Sequence, residues 1–333
     1  MKYLRRLIVV LILLSMLLVA GALFSIYSPH RGFHDEVFLD FPKGTPTTVM
    51  ADRLARAGVI KYSWQLLLAR GMNRSAKLQA GEYRFAEPAS TSEVYARIAR
   101  GDVFYYELRV AEGDNIFDIA ALIAKLGTIK SKDYLLAAAD PSSIRDLDPQ
   151  AQTLEGYLFP STYRLTRTTT AAQLMKQMTG EFRRAWKSVA GDRRPSIHDT
   201  VTLASLVEKE TALASERPLV ASVYANRLRM NMKLDCDPTT IYAAMLEDRY
   251  RGTIARSDLA SRNSYNTYRH AGLPPGPITN PGIASLKAAL SPADTKFLYF
   301  VAKPRGGGSQ FSLNYAAHER AVEEYRLGLK ATH

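Results

Sequence analysis

The sequence contains one cysteine, Cys236, so no intrachain disulfide is available and packing must hold the fold. It has no CxxC pair and no cluster of histidines, the usual frameworks of a structural metal, so neither a metal nor a cofactor is expected. No Lys/Arg block runs beyond a few residues and no nucleic-acid module pattern is visible, which sets nucleic acid aside as a partner. Acidic residues are in the minority: 44 Lys and Arg stand against 32 Asp and Glu, a net charge of +12. That surplus favours an anionic partner, such as lipid head groups or an acidic polymer, or else a generally basic surface. Hydrophobic residues at 47% and charged residues at 23% argue against wholesale disorder. A length of 333 residues suggests two or three units.

Charge is also absent from Leu7 to Tyr27, 21 consecutive positions. At about 1.5 Å per residue a helix there spans roughly 30 Å, the thickness of a bilayer core. Lys2, Arg5 and Arg6 precede the run, whereas Asp35, Glu36 and Asp40 follow it beside Arg31. This asymmetry predicts a cytoplasmic tail (1–6), a transmembrane helix (7–27) and everything later outside the cytoplasmic membrane. A cleaved signal peptide is the competing reading, with Ala20 and Ala22 as its cleavage mimic, although its apolar region would usually be shorter.

Beyond His30 a pattern occurs twice. Val37 to Phe41 alternates like a strand, Gly44 makes a turn, and Met50, Ala51, Leu54 and Ala55 share a helical face. Leu108 and Val110, then Gly113, then Ile119, Ala120, Ile123 and Ala124 repeat the same offsets from glycine. A switch from period 2 to period 3.6 reads as strand, turn, amphipathic helix. The second copy also resembles the start of LysM modules, which bind N-acetylglucosamine polymers. A LysM-like module is expected over 33–101 and a larger domain over 102–330, in an α+β fold with few strands and segregated helices.

The segment Val201-Thr-Leu-Ala-Ser-Leu-Val-Glu-Lys-Glu-Thr211 reads as a helix capped by Asp199 or Thr200. Residues three and four positions from Glu210 are Leu206, Val207, Leu213 and Ala214, all apolar. Around Glu208 stand Ala204, Ser205, Thr211 and Ala212, smaller and more polar. Two positions make about 200° of helix, so Glu210 is expected on the buried stripe and Glu208 away from it. A buried carboxyl is driven towards the neutral state that a general acid needs. The alternative is a core ion pair of Glu210 with Arg217 or Arg227. Ser215 is expected to cap a second helix and Asp237-Pro238 to start a third. The loops Ser264–Tyr268 and Gly272–Gly282 are dense in turn residues, and the second should be rigid. Such a loop beside Tyr and Asn suits sugar stacking or is merely a turn. The C-terminal part reads as strands Phe297–Ala302 and Gln310–Leu313 around a glycine hairpin, then a helix bearing His318.

These residues resemble the endolytic murein transglycosylases of the YceG-like type. The matching stretches are Leu203-Ala-Ser-Leu-Val-Glu-Lys-Glu-Thr211, Ala214-Ser-Glu-Arg217, Val220-Ala-Ser-Val-Tyr-Ala-Asn-Arg-Leu228, Asp237-Pro-Thr239 with Tyr242, Tyr265-Asn-Thr-Tyr268, Gly272-Leu-Pro-Pro-Gly-Pro-Ile278, Asn280-Pro-Gly282 and Leu298-Tyr-Phe300. Glu155-Gly156 and Phe159-Pro160 extend the likeness. Departures are Ser161, where the family often has an acidic residue, Cys236, and Gln310 where it often has His. The resemblance implies one catalytic glutamate, Glu210, which the helical-face reading reaches separately. It implies cleavage of the MurNAc-β-1,4-GlcNAc bond within peptidoglycan strands, leaving 1,6-anhydro ends and ending strand elongation. Substrate contacts are assigned to Glu155, Asn226, Arg227, Asp237, Thr239, Tyr242, Tyr265, Asn266, Tyr268, Pro274, Pro275 and Asn280. Expected partners are glycan strands, the inner membrane and peptidoglycan synthases. A non-catalytic peptidoglycan-binding scaffold and a water-using muramidase remain open at this stage.

Overall fold

The computed structural model describes residues 2–73, 76–191, 195–304 and 307–330. Residues 305 and 306 of the expected glycine hairpin therefore lie outside the described residues. The chain divides into two compact units, Met1–Tyr106 and Glu107–His333. Helices dominate and the strands form small two-stranded sheets, an α+β architecture.

The first unit begins with helix α1 (Lys2–Tyr27), which among the described residues is the one helix long and apolar enough to cross a membrane. Strand β1 (Val37–Phe41) follows, then α2 (Thr47–Arg56), α3 (Ser63–Met72), β2 (Gly81–Phe85) and α4 (Thr91–Arg100). β1 and β2 pair antiparallel, with Leu39 opposite Tyr83. Phe41, Leu54, Leu66, Tyr83 and Ile98 fill the core between sheet and helices. Ser90 caps α4 by accepting from the Glu93 N–H at 3.2 Å, while the Glu93 carboxylate accepts from the Ser90 N–H.

The second unit takes in all but the first residue of β3 (Tyr106–Arg109), then α5 (Ile116–Leu126), α6 (Ser131–Ala138), β4 (Thr162–Leu165) and the long α7 (Ala171–Ala190). Then come α8 (Ile197–Glu210), α9 (Arg217–Arg229), α10 (Asp237–Leu246), the short α11 (Arg256–Leu259) and α12 (Ile283–Leu290). Strands β5 (Tyr299–Ala302) and β6 (Ser309–Ser312) pair antiparallel before α13 (Tyr315–Lys330) closes the chain. Caps differ from the sequence expectation. Ser196 caps α8, accepting from the Asp199 N–H at 3.2 Å, and Cys236 rather than Asp237 holds the cap position of α10.

The repeated strand–glycine–helix pattern is present in both places, and Gly44 and Gly113 share φ +87°, a left-handed turn that glycine adopts without strain. The second copy lies in the larger unit and is built into its interior. The Gly113 N–H donates to the Asn280 carbonyl at 3.0 Å, and the Ile116 N–H at the start of α5 donates to the Glu155 carboxylate at 3.0 Å.

Helix α8 departs most from the amphipathic reading. Every residue from Thr200 to Glu208 is buried, because α9, α10 and α12 pack around it. A central helix has no solvent stripe, so inside and outside cannot be told apart by periodicity. The helix also stops at Glu210. Thr211 is extended, at φ −144° and ψ 130°, so Leu213 and Ala214 do not occupy the next turn, and Leu213 is exposed.

Candidate active site

Glu208 and Glu210 both sit at the C-terminal end of α8, and their surroundings sort them. The Glu208 side chain is only 3% exposed and forms a buried ion pair: its Oε1 accepts from Arg217 Nη2 at 2.7 Å. Its Oε2 accepts from the Gly282 N–H at 2.8 Å. The expectation that Glu208 faces away from the interior is thereby corrected, and Arg217 is the partner of Glu208 rather than of Glu210. Arg227, the other candidate partner, spends its guanidinium on the Leu298, Lys233 and Leu234 carbonyls and on Asp235 at 3.1 Å.

Glu210 is half-buried and opens onto two clefts. The first, about 310 Å³, has Tyr224, Arg227, Asp237, Tyr268, Tyr299 and His318 on its walls. The second, about 410 Å³, is bordered by Glu112, Gly113, Glu208, Lys209 and Arg217. Burial holds the Glu210 carboxyl above the usual carboxylate range, and the Asp237 charge pushes the same way. Hydrogen bonds from the Cys236 thiol, 3.1 Å from Oε1, and from the Tyr224 hydroxyl pull in the opposite direction, as does Arg227. Burial prevails, as expected where few full charges face the group. Cys236 itself is buried and held far above an ordinary thiol, so it faces Glu210 as a neutral donor.

The acids that share the first cleft are engaged elsewhere. Asp237 Oδ1 accepts from the Tyr268 hydroxyl at 2.6 Å, and Asp235 takes Arg227. The Arg227 guanidinium also lies 5.0 Å over the Tyr299 ring, which stacks on His318 at 5.1 Å. Burial and the nearby Arg227 lower the His318 pKa, favouring the neutral imidazole. These rings give the cleft flat apolar faces edged with donors.

Of the residues assigned to substrate from the sequence, Arg227, Asp237 and Tyr268 border the first cleft with Glu210. The others border neither cleft. Glu155 is sealed in the core, accepting from the Ile116 N–H, from Asn280 Nδ2 at 3.0 Å and from the Tyr242 hydroxyl. Desolvation raises it to about 8 despite those donors. Asn280 is equally buried, and its Oδ1 accepts from the Gly156 and Leu158 N–H groups, both at 2.9 Å. Asn266 braces its own loop through Ser261, and Thr239 bonds the Cys236 carbonyl and Thr267. Asn226 fastens α9 to the Thr295 and Phe297 carbonyls. Tyr242 is buried between Phe117 and Tyr265. Pro274 is buried, and the Pro275 carbonyl meets His198 Nε2 at 3.0 Å. The Gly272–Gly282 loop thus clamps α8 and the Gly113 turn together and borders neither cleft. Sequence reasoning missed Tyr224, Tyr299 and His318 as cleft residues. Tyr224 and Tyr299 both stand in matching stretches, which is the available signal.

The site is thus a carboxyl, Glu210, that burial holds towards its neutral form where it borders two clefts. The chain belongs to the YceG-like family, whose model matches residues 39–324. It is 31% identical over 308 residues to an endolytic murein transglycosylase of Bacillus subtilis, covering 87% of this chain and 84% of the relative. A protein of the same name from Streptococcus pneumoniae is 25% identical over 326 residues; the chain spans 58% of that relative's length. The crystal structure of a YceG-like protein from Listeria monocytogenes superposes with a TM-score of 0.59 at 28% identity, covering 86% of this chain and 98% of that one.

Proposed function

We propose that this protein is an endolytic murein transglycosylase with Glu210 as its single acid–base catalyst. The observation that carries the reading is that Glu210 borders both clefts, so a strand can occupy subsites on either side of one carboxyl. An enzyme that attacks within a chain needs room for sugars on both sides of its acid. Glu210 gives its proton to the glycosidic oxygen as the bond from the MurNAc anomeric carbon to that oxygen breaks. The resulting carboxylate then takes the proton of the C6 hydroxyl, whose oxygen closes on the anomeric carbon to leave a 1,6-anhydro end.

A hydrolase of the usual kind needs a second carboxylate. Here Asp237 and Asp235 are both bonded to other side chains, which favours internal attack over water. In this reading Arg227, Asp237, Tyr268, Tyr299 and His318 contact sugar, whereas Glu155 and Asn280 hold the groove's shape. The first unit, with its LysM-like strand–turn–helix, helps to retain the strand. Helix α1 anchors the enzyme in the cytoplasmic membrane with both units outside, near peptidoglycan synthases.

The test is digestion of purified peptidoglycan followed by mass spectrometry. Internal fragments lighter by one water than hydrolytic products are expected, and none from Glu210→Gln. Hydrated ends would make the protein a muramidase; full activity of Glu210→Gln would end the assignment.

A further inference from the structure

Helix α3 is apolar on two faces. Leu66 and Ala69 point into the core of the first unit, as a surface helix requires. Trp64, Leu67, Leu68 and Met72 recur at i, i+3, i+4 and i+8 on the other side and are all exposed, Met72 at 47%. Tyr62 extends this face, stacking on Trp64 with centroids 6.3 Å apart, and Lys61 Nζ lies 5.5 Å over the Tyr62 ring.

The position of α3 says what covers this face. Gln65 Nε2 donates to the Ser25 carbonyl at 3.0 Å, and Ile26 of the last turn of α1 is buried in the same core as Leu66. The exit of α1 and the start of α3 are therefore one rigid piece. Trp, Tyr and Lys beside the end of a spanning helix are the side chains that settle at a membrane–water boundary, with rings among the head groups and ammonium near phosphate.

We propose that α3 is an interfacial helix that lies on the lipid surface, with Trp64, Leu67, Leu68 and Met72 inserted at the head-group–acyl boundary and Lys61 at the phosphates. This rests on the reading of α1 as a retained anchor. It goes beyond that reading: the first unit is held flat against the bilayer instead of hanging from a tether.

Two tryptophans occur, Trp64 and the buried Trp186, so the full chain with Trp186→Phe reports on Trp64 alone. The protein is reconstituted into vesicles of phosphatidylethanolamine and phosphatidylglycerol, some containing lipid with a quencher high on the acyl chain. Lipid quencher is expected to suppress Trp64 emission, and aqueous iodide to leave it unchanged. Adding Leu67→Ser and Leu68→Ser, both at exposed positions, should reverse the two responses without moving the thermal transition. Quenching by iodide and not by lipid, with the chain resistant to alkaline extraction, overturns the docking and leaves the anchor standing. Release by alkali overturns the anchor and the docking together. Shielding that grows with protein-to-lipid ratio would mark a second copy of this chain and also overturn the proposal.

Discussion

Glu208→Gln and Glu210→Gln make the same chemical change two residues apart and should fail in opposite ways. Glu208 uses one oxygen for Arg217 at 2.7 Å and the other for the Gly282 N–H at 2.8 Å. Glutamine has one acceptor oxygen, so its NH2 must face either a guanidinium or an amide N–H, both donors. The change also leaves Arg217, 9% exposed, with only Glu112 at 3.5 Å, a half-exposed partner of little strength. Breaking a buried pair in this way costs about 3–5 kcal/mol. At about 2–4 °C per kcal/mol for a unit of this size, the transition should fall by roughly 6–20 °C. Glu210 has no such pair, and the acid is already favoured in its neutral form, so Glu210→Gln should unfold within a few degrees of the wild type. Its cleavage should fall by about 10²–10⁴-fold, the usual contribution of a general acid. Differential scanning fluorimetry in detergent and release of soluble fragments from peptidoglycan measure the two quantities on the same samples. A Glu210→Gln protein as unstable as Glu208→Gln would refute the division of roles, and one that still cleaves normally would refute the catalytic assignment.

Glu155 gives a stability profile with a definite sign. Its folded value of about 8 lies above the ordinary 4.5, so the native state binds the extra proton between them. Its stabilising contribution is complete below about pH 4.5 and is lost as pH rises towards 8, an effect on the order of 5 kcal/mol that Glu155→Gln should flatten. A wild-type profile that is level over this window would contradict it. Gly156→Ala should destabilise by at least about 2 kcal/mol in urea unfolding, because φ is +88° and a Cβ would stand 2.5 Å from Pro277 and 2.9 Å from Val201. Protease added to spheroplasts should degrade both units, and the mature protein should begin before Leu7; protection, or an N-terminus near Leu23, would overturn the topology.

The legible parts of this sequence were those that carry their own local signature. Residues 7–27 read as one long apolar helix because no charge interrupts them, and the structure has a helix there. Gly44 and Gly113 marked their turns because only a small backbone accepts φ +87°. Residue-level readings failed where the surroundings come from distant sequence. Nothing in Glu-Lys-Glu reveals that Arg217 and Gly282 converge on the first glutamate and Cys236 and Tyr224 on the second. Glu210 is nevertheless held towards its neutral form, although Leu213 and Ala214 do not occupy the next turn of α8. Asn280 and Glu155 look like sugar contacts in one dimension, since polar residues in turns usually face water. Their burial follows from backbone donors at Ile116, Gly156 and Leu158 that need acceptors in the core.

Those donors tie together the widely separated segments beside the second cleft. The Asn280 side chain joins the Asp114 carbonyl to the Gly156 and Leu158 amides, while its backbone exchanges bonds with Gly113 and Asp114. Gly282, two residues on, donates to Glu208, whose Arg217 borders the second cleft. A single short loop therefore sets the distance between the Gly113 turn and the end of α8, the two walls of that cleft. The prolines at 274, 275, 277 and 281 reduce the freedom the loop loses on folding. The loop's side chains and backbone are spent on packing around the wall opposite Glu210, while the aromatic rings of the first cleft come from Tyr268, Tyr299 and His318. In this family member the loop most crowded with turn residues packs inward, while the first cleft is lined from α9 (Tyr224, Arg227), the turn at Tyr268, β5 (Tyr299) and α13 (His318).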